Sequence, residues 1–170
     1  PYYLNPIIFL RPVEFSMGSS DNALMGLNVS FKATNQVKLY GQLVLDEFKL
    51  SEMTSGTGWW ANKYGTQIGV KYYDAFNVDK LTIQGEYNMV RPYTYSHRAS
   101  PQAYGQYNQP LAHPSGANFN EGVFLATYYV KQFYIEFKTT FLVQGVDLES
   151  DTISYGGDIF KSYEDRPYDY

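Results

Sequence analysis

Long runs in which apolar and polar residues alternate one by one constrain this chain more than any other feature of its sequence. From Val37 to Leu45, every second residue is apolar or glycine, and the residues between them are mostly polar. Successive side chains of a β-strand point to opposite faces, so a period of two predicts strands. Five further runs share this pattern: 23–32, 66–73, 81–89, 121–130 and 133–144. We therefore predict an all-β, antiparallel chain of about six long strands.

The alternation itself is compatible with two environments. A soluble sandwich or barrel would turn the apolar side chains into a dry core, whereas an outer-membrane barrel would turn them towards lipid. The runs are 8 to 12 residues long, close to the roughly 9–11 residues with which a tilted strand crosses the hydrocarbon layer. The apolar sides of the runs carry no charge, and the charges within strands all fall on the polar side: Lys38, Lys71, Glu86, Glu136 and Lys138. This distribution favours the membrane environment.

Short and long connections also alternate along the chain. The short ones are 33–36, 74–79 and the turn at Lys131, and the long ones are 49–63, 91–120 and the segment after 145. Outer-membrane barrels place short turns on the periplasmic rim and long loops outside the cell. We therefore expect a transmembrane antiparallel β-barrel in the outer membrane of a Gram-negative bacterium, with its long loops extracellular. Because the smallest barrels have about 8 strands, residues 1–170 are expected to be a fragment of a single barrel domain that lacks strands at one or both ends.

Composition excludes several other classes. The chain has no cysteine, so neither disulfides nor thiolate metal sites can form. Its net charge of −4 disfavours a nucleic-acid-binding surface. Its 18 tyrosines suit the aromatic girdles of a membrane barrel. A phosphate-binding glycine loop and a serine nucleophile elbow are both absent from the sequence. We expect no enzyme activity and no cofactor.

The long loop 91–120 and the strand that follows it concentrate residues suited to bind sugars. Arginine and histidine donate hydrogen bonds to acidic sugars, and tyrosine rings stack on pyranose faces. The candidates are Arg91, Tyr95, His97, Arg98, His113, Asn118 and Glu121. A purely structural plug is the alternative, in which Arg91 pairs with Glu86 or Glu121 and His113 opens a tight turn.

Two further groups of residues complete the candidate site. Trp59 and Trp60 lie in another long loop, where they either stack on carbohydrate or belong to an aromatic girdle or a small loop core. Asp46 and Glu86 are lumen charges that either contact a ligand or belong to an ion-pair network. A glycosidase would need two carboxyl groups about 5–9 Å apart, and Asp46 with Glu86 or Glu121 is the combination that could provide them. His97 and His113 are too widely spaced in a loop to predict a metal site.

Several segments resemble one known family. These segments are 91–97 (RPYTYSH), 108–118 (NQPLAHPSGAN) with Glu121, 3–15 (YLNPIIFLRPVEF), 18–24 (GSSDNAL), 40–42 (YGQ), 45–48 (LDEF) and 156–161 (GGDIFK). In their order and spacing they resemble the Wzi-type capsule-assembly outer-membrane family, in its Bacteroidetes gliding-motility, RemB-like branch. The similarity extends over nearly the whole chain.

The resemblance implies a large monomeric outer-membrane barrel. Wzi-type members are surface lectins that hold capsular polysaccharide on the cell, and the gliding branch is associated with motility and secretion machinery. We therefore expect a protein that binds or anchors capsular polysaccharide or exopolysaccharide through its lumen and loops. The alternative is an accessory subunit of a gliding-motility or protein-secretion machinery. The expected partners are the lipid bilayer, a surface polysaccharide and other outer-membrane proteins.

Overall fold

The computed structural model describes residues 24–46, 62–98, 100–147 and 152–167. Trp59 and Trp60 lie outside these ranges. Six long strands dominate the described chain: β1 (Met25–Lys32), β2 (Val37–Leu45), β3 (Tyr64–Tyr73), β4 (Leu81–Val90), β7 (Phe119–Val130) and β8 (Phe133–Gln144). Between β4 and β7 the chain forms a small hairpin of two strands with two residues each, β5 (Gly105–Gln106) and β6 (Gln109–Pro110). Short 3₁₀ turns lie at Ala75–Asn77, Ser100–Gln102 and Tyr163–Asp165.

The six long strands pair in the order β1-β2-β3-β4-β7-β8, and every pairing is antiparallel. The prediction of an all-β antiparallel chain with six long strands is confirmed. Among the described residues the sheet is open, since β1 and β8 are its two edges and do not pair with each other. In the described part of the chain, no helix is long and apolar enough to cross a membrane.

Local chemistry fixes the three tight connections on one rim of the sheet. Thr34 Oγ1 accepts a hydrogen bond of 2.9 Å from the backbone N–H of Val37 and so closes the β1–β2 turn. Asp74 Oδ1 accepts one of 2.8 Å from the N–H of Lys80 between β3 and β4. The β7–β8 turn bends at Lys131, whose φ is +53°. These turns link adjacent strands directly, whereas the opposite rim carries the long loop 91–118 and the segment 152–167.

The register collects most of the apolar residues of the six strands on one face, which we call the apolar face. It consists of alternate positions from Met25 in β1 to Val143 in β8, and none of them is charged. Many of its large side chains are exposed, among them Ile68 (63%) and Phe137 (60%). A soluble surface rarely exposes an apolar area of this extent.

The intervening positions form the polar face. One row across the sheet runs Asn28–Gln42–Gln67–Asn88–Glu121, and the next includes Ser30, Tyr40 and Glu86. Neighbouring side chains in a row lie about 5 Å apart and interact directly. In the first row, for example, Gln42 Nε2 donates a 2.5 Å hydrogen bond to Asn28 Oδ1. The polar face therefore carries rows of hydrogen-bonding side chains, which apolar residues such as Val123 and Leu125 interrupt in β7.

A small hydrophobic core lies at the long-loop end of the polar face. There the side chains of Val90 and Phe119 pack against Tyr95 and Ala117 of the long loop and Ile159 of the segment 152–167. This core fixes both loop segments across the end of the polar face, so the long loop packs onto the sheet.

Candidate functional site

A groove of about 1020 Å³ lies between the polar face and the long loop. The strands provide its floor, including Gln42, Gln67 and Asn88, and residues 112–115 of the loop provide part of its wall. His113 begins a tight turn in this wall, because its carbonyl accepts a 2.9 Å hydrogen bond from Gly116 N–H. The turn holds the imidazole against the ring of Phe119, with the two ring centroids 4.4 Å apart.

A chain of polar contacts runs along the groove floor. His113 Nε2 lies 3.3 Å from Glu121 Oε2. Asn88 Nδ2 then joins the two carboxylates, at 2.8 Å from Glu121 Oε2 and 3.0 Å from Glu86 Oε1. Tyr40 donates its hydroxyl to Glu86 Oε2 at 2.5 Å. These contacts fix acceptor and donor groups in a row, which suits the recognition of a ligand rich in hydroxyl groups.

The position of Tyr40 depends on a glycine in the neighbouring strand. Gly69 lies opposite Tyr40 in the β2–β3 register, and any Cβ at residue 69 would overlap the Tyr40 ring. The ring therefore lies flat across β3. Gln84 Nε2 donates to the Tyr40 hydroxyl at 2.8 Å, and Lys71 Nζ lies 5.9 Å from the ring centroid.

Asp46 and His97 meet at the base of the long loop, where both side chains are buried. Asp46 Oδ1 lies 3.3 Å from His97 Nε2, and Asp46 Oδ2 accepts a 2.8 Å hydrogen bond from the N–H of Tyr95. Nearby, Lys63 Nζ donates to the carbonyl of Ser96 at 2.9 Å. Burial, and secondarily the charge of Asp46, raises the pKa of Tyr95 to about 12. These contacts attach the loop to the ends of β2 and β3.

A second set of contacts joins the long loop to the segment 152–167. Asn118 Nδ2 donates to the carbonyl of Tyr155 at 2.9 Å, and Tyr93 donates its hydroxyl to the carbonyl of Ser154 at 2.8 Å. Asp147 organises the facing segment by accepting hydrogen bonds from the backbone N–H groups of Tyr155, Gly157 and Asp158. The two segments therefore form one packed cap.

The two arginines of the loop lie apart from the groove lining. The Arg91 guanidinium lies over the ring of Tyr64, with 5.5 Å between Cζ and the ring centroid. Arg98 is exposed and pairs with Glu164 at 3.2 Å. An exposed pair of this kind contributes little to stability.

The structure thus divides the predicted site residues into groups. Four of them line the groove: Tyr95, His113, Glu121 and Glu86. Asp46 and His97 form the buried contact under the loop, and Asn118 joins the two parts of the cap. The combination of Asp46 with Glu86 or Glu121, which a glycosidase would need, has no counterpart among the contacts above, in which Asp46 lies beside His97.

The sequence interpretation missed several groove residues, chiefly Gln42, Gln67, Gln84 and Asn88. Their signal was present as alternate positions of the same strands, but only the register shows that they lie side by side. The described residues contain no group of three histidine or acidic side chains arranged to hold a metal ion.

No known family model, curated protein or solved structure matches this chain. The resemblance to the capsule-assembly family therefore stays a prediction.

Proposed function

We propose that this chain is part of an outer-membrane β-barrel that binds or anchors a surface polysaccharide. The apolar face would contact lipid and the polar face would line the lumen. The observation that carries the membrane assignment is the uncharged, exposed apolar face, which extends over all six strands. In water such a face would be a strong site of aggregation, whereas lipid solvates it.

The dimensions of the apolar face support this proposal. On β8 the apolar positions extend from Phe133 to Val143. Ten steps of about 3.3 Å give roughly 33 Å along the strand. A tilt of about 40° reduces this to about 25 Å across the membrane, which is the height of the apolar band of outer-membrane barrels.

Open sheet edges are not tolerated in lipid, because their backbone N–H and C=O groups would lack partners. The proposal therefore requires further strands to pair with β1 and β8. The long loop and the segment 152–167 would lie on the extracellular side, where they narrow the lumen entrance.

The groove supplies the proposed polysaccharide-binding surface. Side-chain amides such as those of Gln42 and Gln67 both donate and accept hydrogen bonds, and so match the dual character of sugar hydroxyls. Glu86 and Glu121 add strong acceptors, and the rings of Tyr95 and Tyr104 lie at the loop end of the groove. These side chains support binding of a polysaccharide without cleavage of its glycosidic bonds.

Brominated lipids test the orientation of the sheet. Trp59→Phe and Trp60→Phe remove the native tryptophans, and one new tryptophan is then placed by Phe137→Trp on the apolar face or by Glu136→Trp on the polar face. In vesicles with bromine near the bilayer centre, we expect strong quenching of the first probe and weak quenching of the second. Iodide in water should show the opposite preference. A Phe137→Trp probe that iodide quenches and bromine does not would contradict the membrane assignment.

Glycan retention tests the ligand. Glu121→Gln removes a charge from the groove and His113→Gln removes the imidazole, both with little change in volume, and a hydrogen bond to a charged group contributes about 1.5–3 kcal/mol. We expect each variant to reduce the affinity for surface polysaccharide by about 10- to 100-fold, while Arg98→Gln, outside the groove, leaves it unchanged. Unchanged glycan binding in the groove variants, together with co-purifying outer-membrane proteins, would instead support the motility or secretion subunit.

A further inference from the structure

Four lysines of the polar face occupy one row of the sheet near the short-turn rim. Lys32, Lys38 and Lys71 are direct neighbours across β1, β2 and β3. The same row continues through Gln84 and Leu125 to Lys138 in β8. Like charges directly opposite each other on adjacent strands destabilise a sheet.

Within the described part of the chain none of these four lysines forms an ion pair, and the Lys71 ammonium lies 5.9 Å from the centroid of the Tyr40 ring. Glu86 lies close to the row, but its two oxygens accept hydrogen bonds from Tyr40 and Asn88. These hydrogen bonds leave the Glu86 carboxylate negatively charged, so it offsets one positive charge, and the three neighbouring lysines keep the row net positive.

The lysine row also has a shaped recess. A hollow of about 280 Å³ is lined by Lys38 and Lys71 together with Tyr40, Gln84 and Glu86. Both lysines are half-buried. The Tyr40 ring forms a rigid floor, because it lies against Gly69 and its hydroxyl is hydrogen-bonded at both Glu86 and Gln84. Two ammonium groups thus border a preformed concave surface.

We propose that this hollow and the lysine row bind a multivalent phosphate group. Adjacent strands are about 4.8 Å apart, so Lys32, Lys38 and Lys71 span roughly 10 Å. That spacing suits a diphosphate or triphosphate better than a single phosphate, which reaches only two neighbouring amines. Each lysine acts as a point charge with three donors. The inference requires only the register and the hollow, so it holds whether or not the apolar face contacts lipid.

Calorimetry with inorganic tripolyphosphate tests the site. The variant Lys38→Gln/Lys71→Gln removes the two lysines of the hollow. Its control, Lys80→Gln/Lys131→Gln, changes the net charge equally at two exposed turn residues. We expect binding to the unmodified protein in 0.1 M salt, at least a 10-fold loss in the first variant, and no comparable loss in the control. Lys38→Arg/Lys71→Arg should retain most of the affinity.

A thermal shift separates loss of binding from loss of folding. Without ligand, the Lys38→Gln/Lys71→Gln variant should melt at the same or a higher temperature, because repulsion within the row is relieved. Tripolyphosphate should raise the melting temperature of the unmodified protein and leave that of the variant unchanged. The proposal would be overturned if the unmodified protein did not bind tripolyphosphate, or if both glutamine variants lost the same amount of affinity for it.

A phosphate group of this kind has two sources, a free phosphate or one attached to a glycan, and phosphorylated dextran with unmodified dextran as its control distinguishes them. Tighter lysine-dependent binding of phosphorylated dextran than of tripolyphosphate would support a glycan-borne phosphate. The reverse order would support a free one. Equal binding of the two dextrans, independent of Lys38 and Lys71, would overturn the role of phosphate.

Discussion

Replacing Asp46 should release the long loop from the sheet while leaving the strands paired. The Asp46 side chain is 0% exposed, accepts a hydrogen bond from the N–H of Tyr95 and faces Nε2 of His97. Because the carboxylate is fully buried, water can take its place as hydrogen-bond acceptor only if the loop opens. The loop is also held by Tyr93 near its beginning and by Asn118 at its other end, so the opening should stay local.

The size of the effect follows from the two contacts. Asp46→Ala leaves the backbone N–H of Tyr95 without its acceptor, which costs about 1–3 kcal/mol, and it also removes the carboxylate that lies beside the imidazole of His97. Asp46→Asn keeps one acceptor oxygen for the N–H of Tyr95 and should cost about 1–2 kcal/mol.

Native-state hydrogen exchange measures this opening at individual amides. In Asp46→Ala, a decrease of about 3 kcal/mol in the free energy of local opening should speed exchange at Tyr95 and Ser96 by about two orders of magnitude. In Asp46→Asn the exchange rates should increase less. The amides in the middle of β4 should stay protected. Asp79→Asn, at an exposed turn residue, is the control and should change nothing. Unaltered protection of Tyr95 and Ser96 in Asp46→Ala would refute the role assigned to Asp46.

Two further predictions concern the groove floor and the loop. Gly69→Ala should displace the Tyr40 ring and cost about 1–3 kcal/mol in unfolding free energy. Its control is Gly122→Ala, where a Cβ meets nothing within 4 Å, and this variant should be neutral or slightly stabilising. Similar losses of stability in both variants would contradict the packing of Tyr40 against Gly69. Because burial raises the pKa of Tyr95 to about 12, above the value of about 10 in the unfolded chain, its contribution to stability is complete below pH 10 and is lost as the pH rises towards 12. Melting curves across that pH range should show a smaller alkaline loss for Tyr95→Phe than for the unmodified protein, and identical curves would argue against the shift.

Much of the strand architecture could be predicted from the sequence. The run from Val37 to Leu45 alternates except at Val44 and forms β2 with the same bounds. The turn at Lys131 was also predictable, since only two residues separate the alternating runs on either side. The long loop was predicted as a single irregular connection, yet it contains the β5–β6 hairpin, which is too short to leave a periodic signal.

The candidate site was predicted only in part. His113 and Glu121 were both identified, and the structure places them 3.3 Å apart in the groove. Asp46 was expected among the lumen charges, but its side chain lies under the loop with His97. Asn88 was not singled out, although it links both groove carboxylates. A polar residue at an alternating position has no distinguishing mark until its neighbours across the sheet are known.

The sequence by itself determined the strands, the short turns and the division into a charged and an uncharged face. This is because the side-chain direction in a strand depends only on the position along the backbone. The tertiary structure alone decided which residues became neighbours: the lysines of three strands in one row, the carboxylates of β4 and β7 joined by Asn88, and Asp46 beneath His97. Those contacts depend on strand register and on how the long loop packs, and both result from interactions between residues far apart in the chain.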